Sequence, residues 1–272
     1  MDRYKVMSQT ITEKYRLDEV KELLTTIESQ ILPIIKQEKL WGRGDDIELL
    51  VPALTKSMTM LRGICVLCEN GFPDSALILA RNIYEQRTIC AYILNNDDAH
   101  HEELLNKYFE DYELKRVKYI FKQSKRYGNT NFSKDAEVLI EKYKEKYGKV
   151  YPDYWWADNK TFSQIAEKVM EVDDMHKGLY NNMHTEYELA CFATHASCFG
   201  NRMNLGTTHH GIDMRARDTG HEDALFLAIS SLIALVGCTY ECLRVDATFA
   251  LEQLNKLGIL YLKLLLKQTE TD

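Results

Sequence analysis

Residues that break helices are scarce in this chain, with only 4 prolines and 13 glycines among 272 residues. A chain of this length built from β-strands would need many more turns, and turns draw on these residues. Apolar residues instead recur at helical spacing, as at Val20, Leu23, Leu24, Ile27 and Ile31. No strand-like alternation of useful length is present. The pattern therefore predicts an all-α fold.

One 17-residue segment, Ala224–Tyr240, carries no charged residue. It is slightly shorter than the roughly 20 apolar residues that span a bilayer, and it contains Ser230, Ser231 and Thr239. Acidic rather than basic residues flank it, which is not typical of a membrane span. We interpret 224–240 as the buried apolar helix of a bundle of about eight helices, and we expect no membrane association.

The chain has no Pro/Gly/Ser-rich linker, so we treat 1–272 as a single helical domain in which 98–160 is a candidate insertion. Within that insertion, 107–134 mixes basic and aromatic residues. Such a mixture can bind single-stranded nucleic acid through phosphate contacts and stacking. The alternative, which the sequence favours, is a solvated helix that packs its aromatic side chains inward.

Composition limits the setting in which the protein works. No apolar leader follows the first methionine, and the seven cysteines lie within apolar runs rather than at loop spacings. We therefore expect a reduced, cytoplasmic protein. The formal net charge of −7 disfavours general coating of nucleic acid, which needs excess Lys and Arg, but it leaves room for a local basic site.

No motif for a cofactor or a metal is evident. The chain lacks a glycine-rich phosphate loop, a dinucleotide fingerprint and a nucleophile elbow. A 4-3-4 spacing places four side chains on one helical stripe: His184, Glu188, Cys191 and His195. No Glu-x-x-His or His-Glu-x-x-His motif accompanies them. We therefore expect neither a cofactor nor a bound metal.

Two apolar helical segments carry polar residues that suggest a site. Arg81 and Glu85 lie one turn apart on the first, and Tyr187 and His195 lie on the second. Buried polar groups need partners, so we expect the two segments to meet across the core. Arg81 would hold an anion, with Glu85 orienting it, and His195 would act as general acid or base with Tyr187 beside it. The alternatives are an intrahelical ion pair and a buried, hydrogen-bonded histidine.

The spacing of these residues resembles an uncharacterised family of bacterial and phage helical proteins. The resemblance is carried by Gly71, Ala76, Arg81, Glu85 and Tyr92, and by a later Tyr-x(7)-His-x-Ser run formed by Tyr187, His195 and Ser197. It implies an all-helical fold and no established activity.

Helical families of this kind are similar to HEPN domains, which are dimeric bundles that include many RNA-cutting toxins and defence effectors. Their Arg-x(4–6)-His pattern has two counterparts here, Arg202 with His209 and Arg215 with His221. The loop 200–220 holds Arg202, His209, Arg215 and Arg217, and positive charge in an acidic protein tends to concentrate where an anion binds, so we expect this loop to bind RNA or a nucleotide. The resemblance also implies a homodimer. We hypothesise a HEPN-like effector that acts on RNA or on a nucleotide, one form of which is a metal-independent ribonuclease of defence or toxin–antitoxin biology. The alternative is a non-enzymatic helical module that binds a protein partner or a small ligand.

Overall fold

The structure, a computed structural model, describes residues 3–37, 46–96, 98–128, 130–147, 154–172, 177–194, 206–208, 211–213, 217 and 220–269. The helices, in chain order, are α1 (Arg3–Tyr15), α2 (Leu17–Gln37), α3 (Asp46–Glu69), α4 (Pro73–Leu94), α5 (Asp98–Tyr127), α6 (Thr130–Tyr147), α7 (Phe162–Val172), α8 (Lys177–Thr194), α9 (Glu222–Leu243) and α10 (Thr248–Thr269). A 3₁₀ turn (Trp155–Ala157) and two short strands, β1 (Gly206–Thr208) and β2 (Gly211–Asp213), complete the described elements.

The all-α prediction is confirmed, with corrections to the number and limits of the helices. The described residues form ten α-helices rather than about eight, packed around the buried helices α3, α4 and α9 rather than around one helix. Helix α1 is separate from α2 because Arg16 adopts a left-handed backbone conformation with φ of 53°. Helix α6 begins at Thr130, although the Gly, Asn and Ser residues of the surrounding segment are typical of a loop.

Two short strands lie in the segment that the sequence predicts to be non-helical. Strands β1 and β2 form an antiparallel pair in which Gly206 lies opposite Asp213 and Thr208 opposite Gly211. Three residues in each strand are too few to produce a recognisable alternation of polar and apolar side chains. The two strands lie within 200–220, the segment that the sequence predicts to be one long loop.

The segment 224–240 is a buried helix, as predicted. It forms most of α9, and Leu225, Leu227 and Ile229 have no exposed surface. By length and composition, α3 and α9 are the two described helices that could cross a membrane. In their most apolar stretches, 56% and 67% of the residues are buried within the protein. Burial of this extent is typical of core helices.

The chain divides into two compact units. The first comprises Met1–Cys90 and Asp173–Asp272, and in it α9 packs against α3, α8 and α10. The second comprises Ala91–Val172, which overlaps the candidate insertion, and in it α5 packs against α6 and the 3₁₀ turn. Helix α4 begins in the first unit and ends in the second.

Trp155 and Trp156, in the 3₁₀ turn, are buried in the second unit. Trp155 donates its indole N–H to Asp111 Oδ1 at 2.7 Å, which satisfies both groups. Trp156 is almost fully buried, and its ring centroid lies 5.1 Å from that of Tyr108 in an edge-on arrangement. These contacts fix the 3₁₀ turn against α5.

Candidate functional site

Polar and aromatic side chains line the contact between α4 and α8 in the first unit. From one end of the contact to the other, Arg87 faces Tyr180, Tyr84 faces His184, and Glu85 and Arg81 face Tyr187. Residue numbers rise along one helix as they fall along the other, so the two helices run antiparallel. We call this set of residues, together with Cys191, the α4–α8 seam.

The spacing of residues along α8 explains why they share one face. Tyr180, His184, Tyr187 and Cys191 follow one another at intervals of four, three and four residues, which is the repeat of a single helical stripe. Glu188 is largely exposed, so the stripe that faces α4 passes through Tyr187 instead. This corrects the four-residue stripe drawn from the sequence. Within the described residues, no group of three or more His, Cys, Asp or Glu side chains could hold a metal ion.

One end of the seam holds the predicted residues Arg81, Glu85 and Tyr187. Arg81 Nε donates to Glu85 Oε1 at 2.9 Å, and the Tyr187 hydroxyl donates to the same oxygen at 3.5 Å. The guanidinium carbon of Arg81 lies 5.6 Å from the centroid of the Tyr187 ring. The structure therefore brings these three residues together across the helix contact, and the side chains of Arg81 and Glu85 are each about 20% exposed.

Burial and charge set the protonation states at this end. Burial is the largest single influence on the pKa of Arg81 and lowers it, but the charge of Glu85 and its hydrogen bond, together with Cys191 and Tyr187, outweigh burial and the pKa is raised. Burial is also the largest cause that raises the pKa of Tyr187, followed by its hydrogen bond with Cys191. Arg81 is therefore charged and Tyr187 remains a neutral hydrogen-bond donor at physiological pH.

The middle of the seam is aromatic. The Tyr84 hydroxyl and His184 Nδ1 lie 3.3 Å apart, and burial raises the pKa of Tyr84. The Tyr84 ring centroid lies 5.1 Å from that of Tyr187, and His184 and Tyr187 stack at 5.7 Å. Rings at these separations can pack against each other or against a planar ligand.

The other end of the seam holds Arg87, which is only 4% exposed. Its guanidinium carbon lies 4.2 Å from the centroid of the Tyr180 ring. Its Nε is buried without a hydrogen-bond partner, and no carboxylate lies within 4.0 Å of it in the part of the chain that the structure describes. A buried charge without an opposite charge nearby destabilises the folded state. Arg87 carries this cost, whereas the charge of Arg81 is offset by Glu85.

A group of carboxyls lies where α8 meets α9. Burial raises the pKa of Glu186 to about 7, with a further contribution from the charge of Asp223. Burial also raises the pKa of Asp223 to about 7, and Glu222 and Asp74 add to the effect. Both carboxyls are thus neutral in mildly acidic conditions.

Most of the predicted ligand-binding loop lies outside the described residues, as do His195, Arg202, His209 and Arg215. Arg217 is described, and its backbone N–H donates to Gly71 O at 2.9 Å while its side chain pairs with Asp74. His221 is fully buried, with Nε2 3.1 Å from the carbonyl oxygen of Arg217. Arg217 therefore contacts the turn before α4 and the first turn of that helix, and His221 connects Arg217 to the start of α9.

Sequence reasoning singled out Arg81, Glu85 and Tyr187 but did not select Arg87, Tyr84 or Tyr180 as site residues. The signal for Arg87 was present, because a second arginine lay in the same apolar segment. The sequence could not show that Arg81 has a carboxylate partner while Arg87 has none among the residues that the structure describes.

A family model described as a family of unknown function, DUF5677, matches residues 47–212, which include both helices of the seam. The chain belongs to this family. The match confirms that the chain belongs to an uncharacterised family, as the resemblance implied. Comparison of this DUF5677 chain with curated proteins and with solved structures gives no match.

Proposed function

We propose that this DUF5677 protein is a helical effector that acts on RNA or on a nucleotide and holds a phosphate at the Arg87 end of the α4–α8 seam. One observation carries the proposal: a guanidinium that is 4% exposed has no carboxylate partner among the described residues. An arginine is charged at all physiological pH values, so an anionic ligand would offset the cost of burying it.

The chemistry of the seam favours a phosphate-bearing ligand with a planar ring. The guanidinium fork of Arg87 can donate parallel hydrogen bonds to phosphate oxygens. Tyr84 and Tyr187 supply neutral hydroxyls, and their rings offer surfaces on which a base can stack. Arg81 already shares its charge with Glu85, so it is the less suitable of the two arginines to bind an anion by itself.

Metal-independent RNA cleavage would use further residues that the sequence analysis selected. The ribose 2′-hydroxyl attacks the phosphorus, a base removes its proton, and an acid protonates the departing 5′-oxygen. Arg81, Glu85, Tyr187 and His195 are the candidates for these roles and for stabilising the charge that develops on the phosphate. The products would be a 2′,3′-cyclic phosphate and a free 5′-hydroxyl. The HEPN-like relation and a role in defence belong to this proposal.

A second candidate is a non-enzymatic helical module that binds a small ligand or a protein partner. It is favoured by the contacts among Arg81, Glu85 and Tyr187, which satisfy one another without a ligand. In this case Arg87 would still hold the anion, but no bond would be cleaved.

Thermal unfolding with and without added anion tests the proposal. The parent protein should unfold at a higher temperature in inorganic phosphate, a nucleoside monophosphate or a short RNA, because a ligand that binds the folded state stabilises it. The variant R87M should lose this rise, and R81M should keep most of it. The control R62M removes an exposed arginine that pairs with Glu28, and it should respond as the parent does. An equal rise in R87M and in the parent would overturn the proposal.

Incubation with RNA in the presence of EDTA separates the two candidates. Formation of a 2′,3′-cyclic phosphate by the parent, and its loss in R87M and H195A that remain folded, would favour the ribonuclease. Anion binding without cleavage would favour the non-enzymatic module.

A further inference from the structure

Three tyrosines on α5 project into solvent. Tyr112, Tyr119 and Tyr127 are 60%, 64% and 77% exposed. They follow one another at intervals of seven and eight residues, so they lie along one face of the helix. The interpretation that the aromatic residues of 107–134 pack inward is therefore wrong for these three, although Tyr108 does pack against Trp156.

The same face is basic. The stretch 112–127 contains six basic residues and one acidic residue, in a chain whose net charge is −7. Lys122 and Arg126 are exposed and have no ion pair within the described part of the chain. Lys115 pairs with Asp111 at 2.7 Å, which leaves the positive charge concentrated toward the C-terminal half of the face.

The opposite face of α5 explains why the tyrosines point outward. Leu114, Val117 and Ser124 are buried, and they fix the rotation of the helix within the second unit. Because Leu114, Val117 and Ser124 face the neighbouring elements, the three tyrosines on the opposite face point into solvent. Their exposure is thus a property of the helix as it is packed in this unit.

We propose that this face, formed by Tyr112, Lys115, Arg116, Tyr119, Lys122, Arg126 and Tyr127, binds single-stranded RNA. Exposed aromatic rings between basic side chains are the elements by which proteins bind a single strand, since bases stack on the rings and the cations contact the phosphates. Tyr112 and Tyr127 are separated by 15 residues, or about 22 Å of helix.

A single strand fits this face better than a duplex or an apolar partner does. A duplex keeps its bases stacked inside, where the tyrosines cannot reach them. The seven residues of this face include no aliphatic side chain, and the neighbouring Ile120 of α5 is only 37% exposed, so an apolar protein surface would find little aliphatic surface to bury. The inference rests on the proposed function in naming the nucleic acid as RNA.

Fluorescence anisotropy with a labelled single-stranded RNA of about ten nucleotides tests the inference. The variant Y112A/Y119A/Y127A should weaken binding at least tenfold, and Y112F/Y119F/Y127F should restore most of it, because phenylalanine keeps the stacking surface. The variant K122E/R126E should weaken binding and reduce its dependence on salt concentration. The control K256E/K263E carries the same change of charge on exposed residues of α10, and it should bind more tightly than K122E/R126E.

Binding of the alanine variant that equals that of the parent would overturn the inference, as would equal binding of duplex RNA or tighter binding of DNA of the same sequence. Absence of any RNA binding by the parent would overturn it too and would leave the face to a protein partner. Failure of the proposed function has a different signature, because R87M would then respond to inorganic phosphate as the parent does while the tyrosine variants still weaken RNA binding.

Discussion

The guanidinium carbon of Arg87, a side chain that is only 4% exposed, lies 4.2 Å from the centroid of the Tyr180 ring. A cation over an aromatic ring gains about 0.5–2 kcal/mol, which is less than the cost of desolvating an unpaired charge. Six residues earlier on the same helix, Arg81 is bonded to Glu85. Arg81 thus has a carboxylate partner, and Arg87 has none among the described residues. An added anion would therefore be stabilised more by Arg87 than by Arg81.

Replacing Arg87 by methionine should stabilise the protein in the absence of ligand. Methionine has a similar length and no charge, so it removes the cost of burying the cation. We expect the free energy of unfolding to rise by about 1–3 kcal/mol in phosphate-free buffer. Urea denaturation measures it, with R62M as a control that should change stability by no more than about 0.5 kcal/mol. A loss of stability in R87M would mean that the protein itself compensates the charge.

The contact between Glu85 and Tyr187 should be detectable as a coupling between α4 and α8. The hydroxyl–carboxylate distance of 3.5 Å is long, so we expect an interaction energy of about 0.5–1 kcal/mol. Chemical denaturation of E85Q, Y187F and the double variant gives this value as a double-mutant cycle. Strictly additive effects of the two substitutions would show that the contact contributes nothing.

Acidification should stabilise the protein through Glu186 and Asp223. Both have folded-state pKa values of about 7, above their ordinary values of 4.5 and 3.8. The unfolded state therefore releases these protons first as pH rises, so the stabilisation is fully present below about pH 4 and is lost by about pH 7. For Glu186 alone the change is on the order of 3 kcal/mol.

Matched variants isolate this contribution from those of other groups. Denaturation from pH 4 to 8 should show a weaker dependence on pH in E186Q and D223N, and the weakest in the double variant. The control E252Q changes an exposed carboxyl of α10 and should keep the pH dependence of the parent. The opposite result would be a parent whose free energy of unfolding rises from pH 4 to 7, with a smaller rise in E186Q. It would show that Glu186 stabilises the protein when ionised rather than when protonated.

The hydroxyl of Tyr15 should contribute more to stability than that of Tyr240. Tyr15 donates to Glu222 Oε2 at 2.7 Å in the core, whereas Tyr240 donates to the amide oxygen of Gln30 at 2.6 Å. Hydrogen bonds to charged groups are the stronger class, so we expect Y15F to cost about 2–3 kcal/mol and Y240F about 1 kcal/mol. Thermal or urea unfolding of the two variants provides the comparison, and a larger loss in Y240F than in Y15F would contradict this order.

Local signals in the sequence determined much of the fold. Thr161 and Gln164 have the spacing of a capping box, and the Thr161 N–H donates to Gln164 Oε1 at 2.8 Å while the Gln164 N–H donates to Thr161 Oγ1 at 3.3 Å. Helix α9, Glu222–Leu243, contains the predicted 224–240 and extends it by two or three residues at each end, because a charge-free run between acidic residues marks it clearly. The break at Arg16 was not predictable, since an arginine is not a typical residue for a left-handed conformation.

The candidate site was predictable only in part. Helical spacing placed Arg81 with Glu85, and the need to satisfy buried polar groups suggested a partner on the helix of Tyr187. The rotation of α8 that turns Tyr180 toward Arg87 depends on the packing of whole helices, which spacing within one segment does not specify. The exposure of Tyr119 was missed for the same reason, because a mixed helix does not reveal from its sequence which side its neighbours cover.

Calorimetric titration of a nucleoside monophosphate into the parent, R87M and R62M shows whether a phosphate binds at Arg87. We expect saturable binding with the same affinity in the parent and R62M, and an affinity reduced at least tenfold in a folded R87M. Equal affinities in R87M and the parent would contradict this expectation, because the phosphate would then bind without the buried guanidinium of Arg87.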